Sequence, residues 1–250
     1  METLSKKYSD IKGMIVERSP YDEKETNRIL SKFFGSVPIA VKILTRNHGF
    51  DEKKVLDIGC SYGLTLLYWK EGSEGVEIQE RLSKFVDSMG IKVHKLNVEE
   101  GFQGLKEGGY DAIYTHNLLE HLVAPHLFLM RLHKLLKPGG ILAIGHPVVP
   151  PSPFRELLGL LGYKGWATVE HVNFFTAKTS KLTLERAGFE VMRQYRFRRL
   201  YRIPILRDIV GSIWVSCLSV CKKQEGFKYN KKRTAEFDPC WAAPDLKHFR

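Results

Sequence analysis

A chain of 250 residues, 43% of them hydrophobic, is long enough to bury a full core as one large α/β domain or one domain with appendages. Its four cysteines, Cys60, Cys217, Cys221 and Cys240, lack zinc-finger spacing and are too few for a disulfide framework, so reduced thiols in a cytoplasmic setting are expected. Lys and Arg outnumber Asp and Glu by 39 to 28, a net charge of +11, and residues 181–250 alone hold 16 basic against 7 acidic residues, so an anionic partner is expected at that end.

Met1 to Pro20 is polar and basic, shows no secretory signal, and reads as an arm. Tyr21 to Gly49 reads as helical, with Ile29, Phe33, Val37, Val41 and Leu44 near the spacing of one apolar face and a break around Gly35 to Pro38. Lys54-Val-Leu-Asp-Ile-Gly-Cys-Ser-Tyr-Gly63 follows. Val55 to Ile58 fits a central parallel strand, and Gly59 and Gly63 would let the backbone approach a ligand closely. Leu64 to Lys70 reads as a helix, so the turn should present free backbone N–H groups to a nucleotide-like ligand.

This decapeptide resembles the first motif of class I S-adenosylmethionine-dependent methyltransferases, with Ser61 where the stricter consensus has its middle glycine. The resemblance implies S-adenosylmethionine as cofactor and a backbone site around Gly59, Cys60 and Gly63, with Asp57 orienting the turn and the cofactor amino group. It also implies a covering helix in residues 1–50, where Arg28 would meet the cofactor carboxylate or be a plain surface charge.

Glu74 to Ile78 reads as a second strand ending in an acid, and Gln79 to Met89 as a helix. Glu77 lies 18 residues beyond Gly59, where an acid can accept hydrogen bonds from both ribose hydroxyls or serve as a helix N-terminal charge; Ile78 comes directly after it. Lys92 to Leu96 is the expected third strand. Asn97 and Val98, just beyond it, match positions that the resembled family sets against the adenine amino group and ring, and both would equally suit a plain loop.

Tyr110 to Thr115 reads as the fourth strand, followed by His116-Asn-Leu-Leu-Glu-His-Leu122; Leu132 to Leu142, containing Leu-Leu-Lys-Pro-Gly-Gly, reads as a helix, a sharp turn and a fifth strand. Tyr-Asp-x-Ile, Leu-Glu-His-Leu and Leu-Lys-Pro-Gly-Gly together are similar to the subset containing quinone-biosynthesis and sugar O-methyltransferases. That resemblance sets His116 and Asn117 beside the methionine part of the cofactor. Pro147 to Phe175 reads as an acceptor-side insertion, in which His171 to Phe175 matches the subset's His-x-x-x-Phe. A helix ending near Ala187-Gly188-Phe189, a sixth strand over Glu190 to Tyr201 and a seventh over Ser212 to Lys222 complete the pattern. The apolar run from Ile203 to Val220 raises the question of a membrane segment, but Pro204, Arg207 and Asp208 interrupt it.

The expected fold is α/β, a doubly wound, mostly parallel, seven-stranded Rossmann-like sheet with the last strand antiparallel. Residues 1–50 would form the arm and covering helix, 51–225 the catalytic domain with its insertion at 147–175, and 226–250 a basic tail. Three histidines are candidate bases for a hydroxyl acceptor. His146 ends the fifth strand, His121 stands in a Glu-His pair that could instead fix the loop, and His171 precedes a helix on the acceptor side. No metal site is read from the sequence. Cys60, at an expected helix start, would have a lowered thiol pKa.

The expected acceptor is a small or lipid-linked hydroxyl compound, anionic or carried at an acidic membrane surface, with the protein cytoplasmic or peripheral to the membrane. A nucleic-acid methyltransferase is the rival suggested by Arg193, Arg196, Arg198, Arg199 and Arg202 mixed with Tyr195, Phe197 and Tyr201. A nicotinamide enzyme would want Gly-x-Gly-x-x-Gly, which this turn lacks, and a cofactor-binding scaffold without turnover is the third alternative.

Overall fold

A computed structural model describes residues 2–19, 22, 24–28, 37–149, 157, 160, 171–198 and 214–227. The expected helical face at Ile29 and Phe33, most of the insertion, the stretch from Ile203 to Gly211 and the tail beyond 227 lie outside them.

Seven strands form one sheet: β1 (Val55–Ile58), β2 (Glu74–Val76), β3 (Val93–His94), β4 (Tyr110–His116), β5 (Leu136–Pro147), β6 (Phe189–Arg198) and β7 (Trp214–Lys223), in the order β3-β2-β1-β4-β5-β7-β6. Strands β1 to β5 pair in parallel, while β7 runs antiparallel between β5 and β6. The sheet order reverses between β1 and β4, and crevices at such a switch point hold ligands in open α/β folds.

Strand alternation explains the two cores. Val55, Ala112, Tyr114, Ala143, Leu218 and Val220 face one apolar layer, and Leu56, Ile58, Ile113, Leu142, Ile144 and Cys221 face the other. Against the first layer pack α1 (Glu2–Arg18), through Ile11 and Ile15; α2 (Ile39–His48), through Ala40, Val41 and Leu44; and α3 (Glu80–Ser88), through Phe85 and Val86. The second layer receives α4 (Pro125–Leu135), through Phe128, Leu129 and Leu132, and α5 (Ala177–Arg186), through Leu184. Where the sequence suggests a polar arm, then, α1 is a helix with two isoleucines in the core.

The helix expected at Leu64 to Lys70 is instead a single 3-10 turn, Leu66–Tyr68. Leu64, Leu66, Tyr68 and Trp69 are all buried, a spacing that gives no polar helical face. Trp69 packs edge-on against Phe50 at 5.3 Å and against Tyr114 at 6.2 Å, so the crossover from β1 to β2 is held by aromatic packing. At the start of β5 the Lys-Pro-Gly-Gly stretch is a bulge: Tyr110 pairs with Leu136 and Ala112 with Ile141.

One buried carboxylate ties three strands together. Glu74 accepts hydrogen bonds from Lys54 (2.8 Å) and the Tyr110 hydroxyl (2.9 Å) and lies 2.7 Å from Nε2 of His94. Burial by itself would raise its pKa, but the hydrogen bonds from Lys54, His94 and Tyr110 outweigh it and hold the group at about 2.

Candidate functional site

A cavity of about 320 Å³ opens at the carboxyl ends of β1, β2, β3 and β4, within the size range of small-molecule sites. Gly59 lines it from the turn after β1, Glu77 and Ile78 from the end of β2, Asn97 and Val98 from the loop after β3, and His116 and Asn117 from the end of β4. Seven residues singled out in the sequence thus meet in one crevice, although they span almost sixty positions. Leu96, Glu99, Leu118 and Leu122 also line it, and the sequence offered no signal for them beyond their neighbours.

The other three residues singled out for the cofactor stand behind the turn. Asp57 is buried, and its carboxylate accepts the Thr65 hydroxyl. Burial raises its pKa to about 7; the Thr65 hydrogen bond opposes that shift and the charge of Glu77 adds to it. Its role is to brace the turn from inside. Cys60 is buried against Gly75, where any added β-carbon would lie 2.7 Å from its sulfur, and burial pushes its thiol pKa up, contrary to the lowering expected at a helix start. Gly63 has φ +66°, and a β-carbon there would lie 2.9 Å from a methyl group of Val86, so this glycine serves the packing of the turn on α3.

The turn's N–H groups are also engaged, contrary to the free donors expected. Gly59 and Cys60 donate to the Val76 carbonyl (2.9 and 3.1 Å), Gly63 to Cys60 (2.8 Å), and Ser61 to the Glu77 carboxylate (3.0 Å). Glu77 therefore both lines the cavity and fastens the turn, its other oxygen accepting from the Gln79 N–H at 2.9 Å. Each carboxylate oxygen retains a lone pair. Among the described residues, Ser61 (φ +52°) and Asn117 (φ +55°) are the non-glycine residues with positive φ, and both belong to this site. Backbone conformations of this kind persist where the surroundings enforce them.

His116 is held neutral: burial, followed by the nearby His146, lowers its pKa to about 4. His146 has no exposed surface, with Nδ1 2.9 Å from the Pro147 carbonyl and Nε2 2.6 Å from the Ser180 hydroxyl. Both ring nitrogens are engaged, which leaves none to take a proton from an acceptor; this histidine joins β5 to α5 instead.

His121 and His171 stand edge-on with ring centroids 4.9 Å apart. The backbone explains the pairing. Val172 and Asn173 both donate their N–H to the Glu120 carbonyl at 3.0 Å, and the Asn173 side chain donates to the Leu122 carbonyl at 2.5 Å. The pair thus rides on the 118–122 loop, whose Leu118 and Leu122 line the cavity. Asn173, which holds this arrangement, was not singled out in the sequence; its place inside the His171 to Phe175 motif was the available signal. Arg28, the candidate for the cofactor carboxylate, forms an exposed ion pair with Glu25 at 2.6 Å.

A family model described as a methyltransferase domain matches residues 36–194, more than half of the chain. The chain belongs to that family. Residues 36–194 thus form a methyltransferase domain, and S-adenosylmethionine is the cofactor that the resemblance in the sequence implies. The cavity suits that molecule, since the buried Glu77 carboxylate keeps lone pairs for a ribose and apolar Val76, Val98, Leu118 and Leu122 can flank a purine.

A ubiquinone biosynthesis O-methyltransferase of Pseudomonas aeruginosa is 28% identical over 134 residues, covering 50% of this chain and 56% of that protein. The methyltransferase chain thus spans about half the length of the ubiquinone-biosynthesis relatives that it matches. Among solved structures, a SAM-dependent methyltransferase of Archaeoglobus fulgidus superposes with a TM-score of 0.57 at 21% identity, covering 81% of this chain and 100% of that one. The [4+2]-cyclase SpnF gives the same TM-score at 15% identity, over 75% of this chain and 80% of that one. These likenesses show the fold, and SpnF, a [4+2]-cyclase, is a case of that fold with a different chemistry. No helix among the described residues is long and apolar enough to cross a membrane, and Trp214 to Val220, the end of the apolar run noted in the sequence, lies in strand β7.

Proposed function

We propose that this methyltransferase transfers a methyl group to a hydroxyl oxygen of a small or lipid-linked, anionic acceptor. The observation that carries the reading is the His121–His171 pair on the loop whose flanking leucines line the cofactor cavity. The ubiquinone-biosynthesis O-methyltransferase relatives support oxygen as the methylated atom, and the surplus of basic residues from 181 onward supports an anionic acceptor or carrier.

S-adenosylmethionine supplies a methyl group already activated on a sulfonium, so the protein need only orient the partners and exclude water. Glu77 would receive the ribose hydroxyls, Asn97 and Val98 would meet the adenine, and the neutral His116 and Asn117 would flank the methionine part. His121 and His171 would stand on the side where the acceptor hydroxyl gives up its proton as the methyl group is taken. Help with that proton is worth about 10²–10⁴ in rate.

The test is to incubate the purified protein with methyl-labelled S-adenosylmethionine and cell extract, then identify the labelled product. A methyl ether or ester on a phosphate- or carboxylate-bearing compound is expected. Label on nitrogen or carbon, or in RNA, would overturn the oxygen assignment.

A further inference from the structure

Among the described residues, one group of three metal-ligating side chains brings its donor atoms within 4.8 Å of one another: Glu120, His121 and His171. Glu120 is 1% exposed, an unusual place for a carboxylate. Its Oε1 lies 3.9 Å from Nε2 of His121, and its Oε2 is buried with no hydrogen-bond partner among the described residues. A buried carboxylate oxygen without a partner is costly unless something else satisfies it.

The geometry points to a divalent first-row transition cation, of the zinc type, bound by Glu120, His121 and His171. Two imidazoles and a carboxylate suit such an ion better than magnesium or calcium, which prefer all-oxygen shells. The backbone already sets the ligands together, because the Val172 and Asn173 N–H groups clamp the residues after His171 onto the Glu120 carbonyl. Donors at about 2.0–2.2 Å from one ion lie roughly 3.3–3.5 Å apart, so a spread of up to 4.8 Å must close by about 1.3–1.5 Å. The two histidines are partly exposed, whereas Glu120 is buried.

Three protein ligands leave an open position, the arrangement of catalytic rather than structural sites. Resting on the proposed O-methylation, that position would take the acceptor oxygen, and the cation would lower the pKa of its hydroxyl so that the proton passes to solvent. The histidines would then act as ligands and not as free bases. An acceptor with two adjacent oxygens, able to chelate, would fit best.

The experiment uses the full chain, treated with a chelator and dialysed. Co²⁺ is titrated in while visible d–d absorption is followed, Zn²⁺ uptake is measured by calorimetry, and S-adenosylmethionine binding is measured separately. Saturation at one equivalent is expected, with affinity about 100-fold or more lower in His171→Ala and in His121→Ala. Unchanged far-UV circular dichroism would show that these partly exposed positions were altered without unfolding. Absence of saturable uptake, or uptake undiminished in both variants, would mean at most an adventitious surface ion and would overturn the site. Cofactor binding without metal uptake would sink the cation alone; metal uptake with label found on nitrogen would sink the O-methylation reading alone.

Discussion

Gly145 of β5 is paired with His116 of β4, and a β-carbon at Gly145 would lie 2.8 Å from Nε2 of His116. The absence of a side chain on one strand therefore fixes where the imidazole of the next can stand. Because His116 lines the cavity proposed for the cofactor, Gly145→Ala should push the ring into it. Affinity for S-adenosylmethionine should fall at least tenfold by calorimetry, with a stability loss of about 1–3 kcal/mol from overpacking. Unchanged affinity would show that the ring can move elsewhere at no cost.

Gly59 has φ +73°, and an added β-carbon would meet only the side chain of Leu118, at 3.6 Å. The requirement is thus mainly conformational, together with room for a ligand on the cavity side. Gly59→Val should abolish measurable binding of both S-adenosylmethionine and its demethylated product, since a β-branched residue strongly disfavours this backbone region. Tight binding of NAD by the unaltered protein, with none of S-adenosylmethionine, would contradict the cofactor itself.

Two buried acids should give the stability profile opposite slopes. Glu74 is held at about 2, below its unfolded value of about 4.3, so its contribution is present above pH 4.3 and is lost as pH falls toward 2. Asp57 is raised to about 7, so its contribution is full below about pH 3.9 and is lost as pH rises through 7. Urea midpoints measured from pH 3 to 8 should show Glu74→Gln flattening the acid limb and Asp57→Asn flattening the decline toward neutrality. Parallel profiles for Asp57→Asn and the unaltered protein would remove Asp57 as a titrating group.

His171 and His146 should separate chemistry from stability. His171→Ala is expected to lower the methyl-transfer rate by about 10²-fold or more while cofactor affinity stays nearly the same. His146→Ala would leave the buried Ser180 hydroxyl without its partner, at a cost of about 1–3 kcal/mol and several degrees in Tm. Full activity in His171→Ala would remove that residue from the acceptor site.

Salt should report on the basic end of the chain. If the acceptor or its carrier is anionic, its affinity should weaken steadily between low and high ionic strength, whereas cofactor affinity should hardly change. An acceptor affinity independent of salt would reduce the basic surplus to a solubilising surface.

The sequence by itself determined the succession of strands along the chain and most of the residues that meet in the crevice, because both depend on local signals. Val55 to Ile58 is apolar enough for a strand buried on both sides, Gly59 marks the turn, and Glu77 and Asn117 fall at the ends of the next strands in the sheet, so parallel pairing alone brings them to one edge. What the sequence could not decide is which face each neighbouring residue takes and what lies across from it. Leu64 to Lys70 reads as helix on local propensity, but the burial of Leu66, Tyr68 and Trp69 overrides it. Gly63 reads as a ligand glycine until Val86 is seen against it, and His146 reads as a base until Ser180 is found on its far nitrogen. The meeting of Glu120 and His121 with His171, fifty residues on, rests on backbone hydrogen bonds between two loops that carry no periodicity. Contacts of that kind depend on long-range closure of the chain, and only the tertiary structure supplies them.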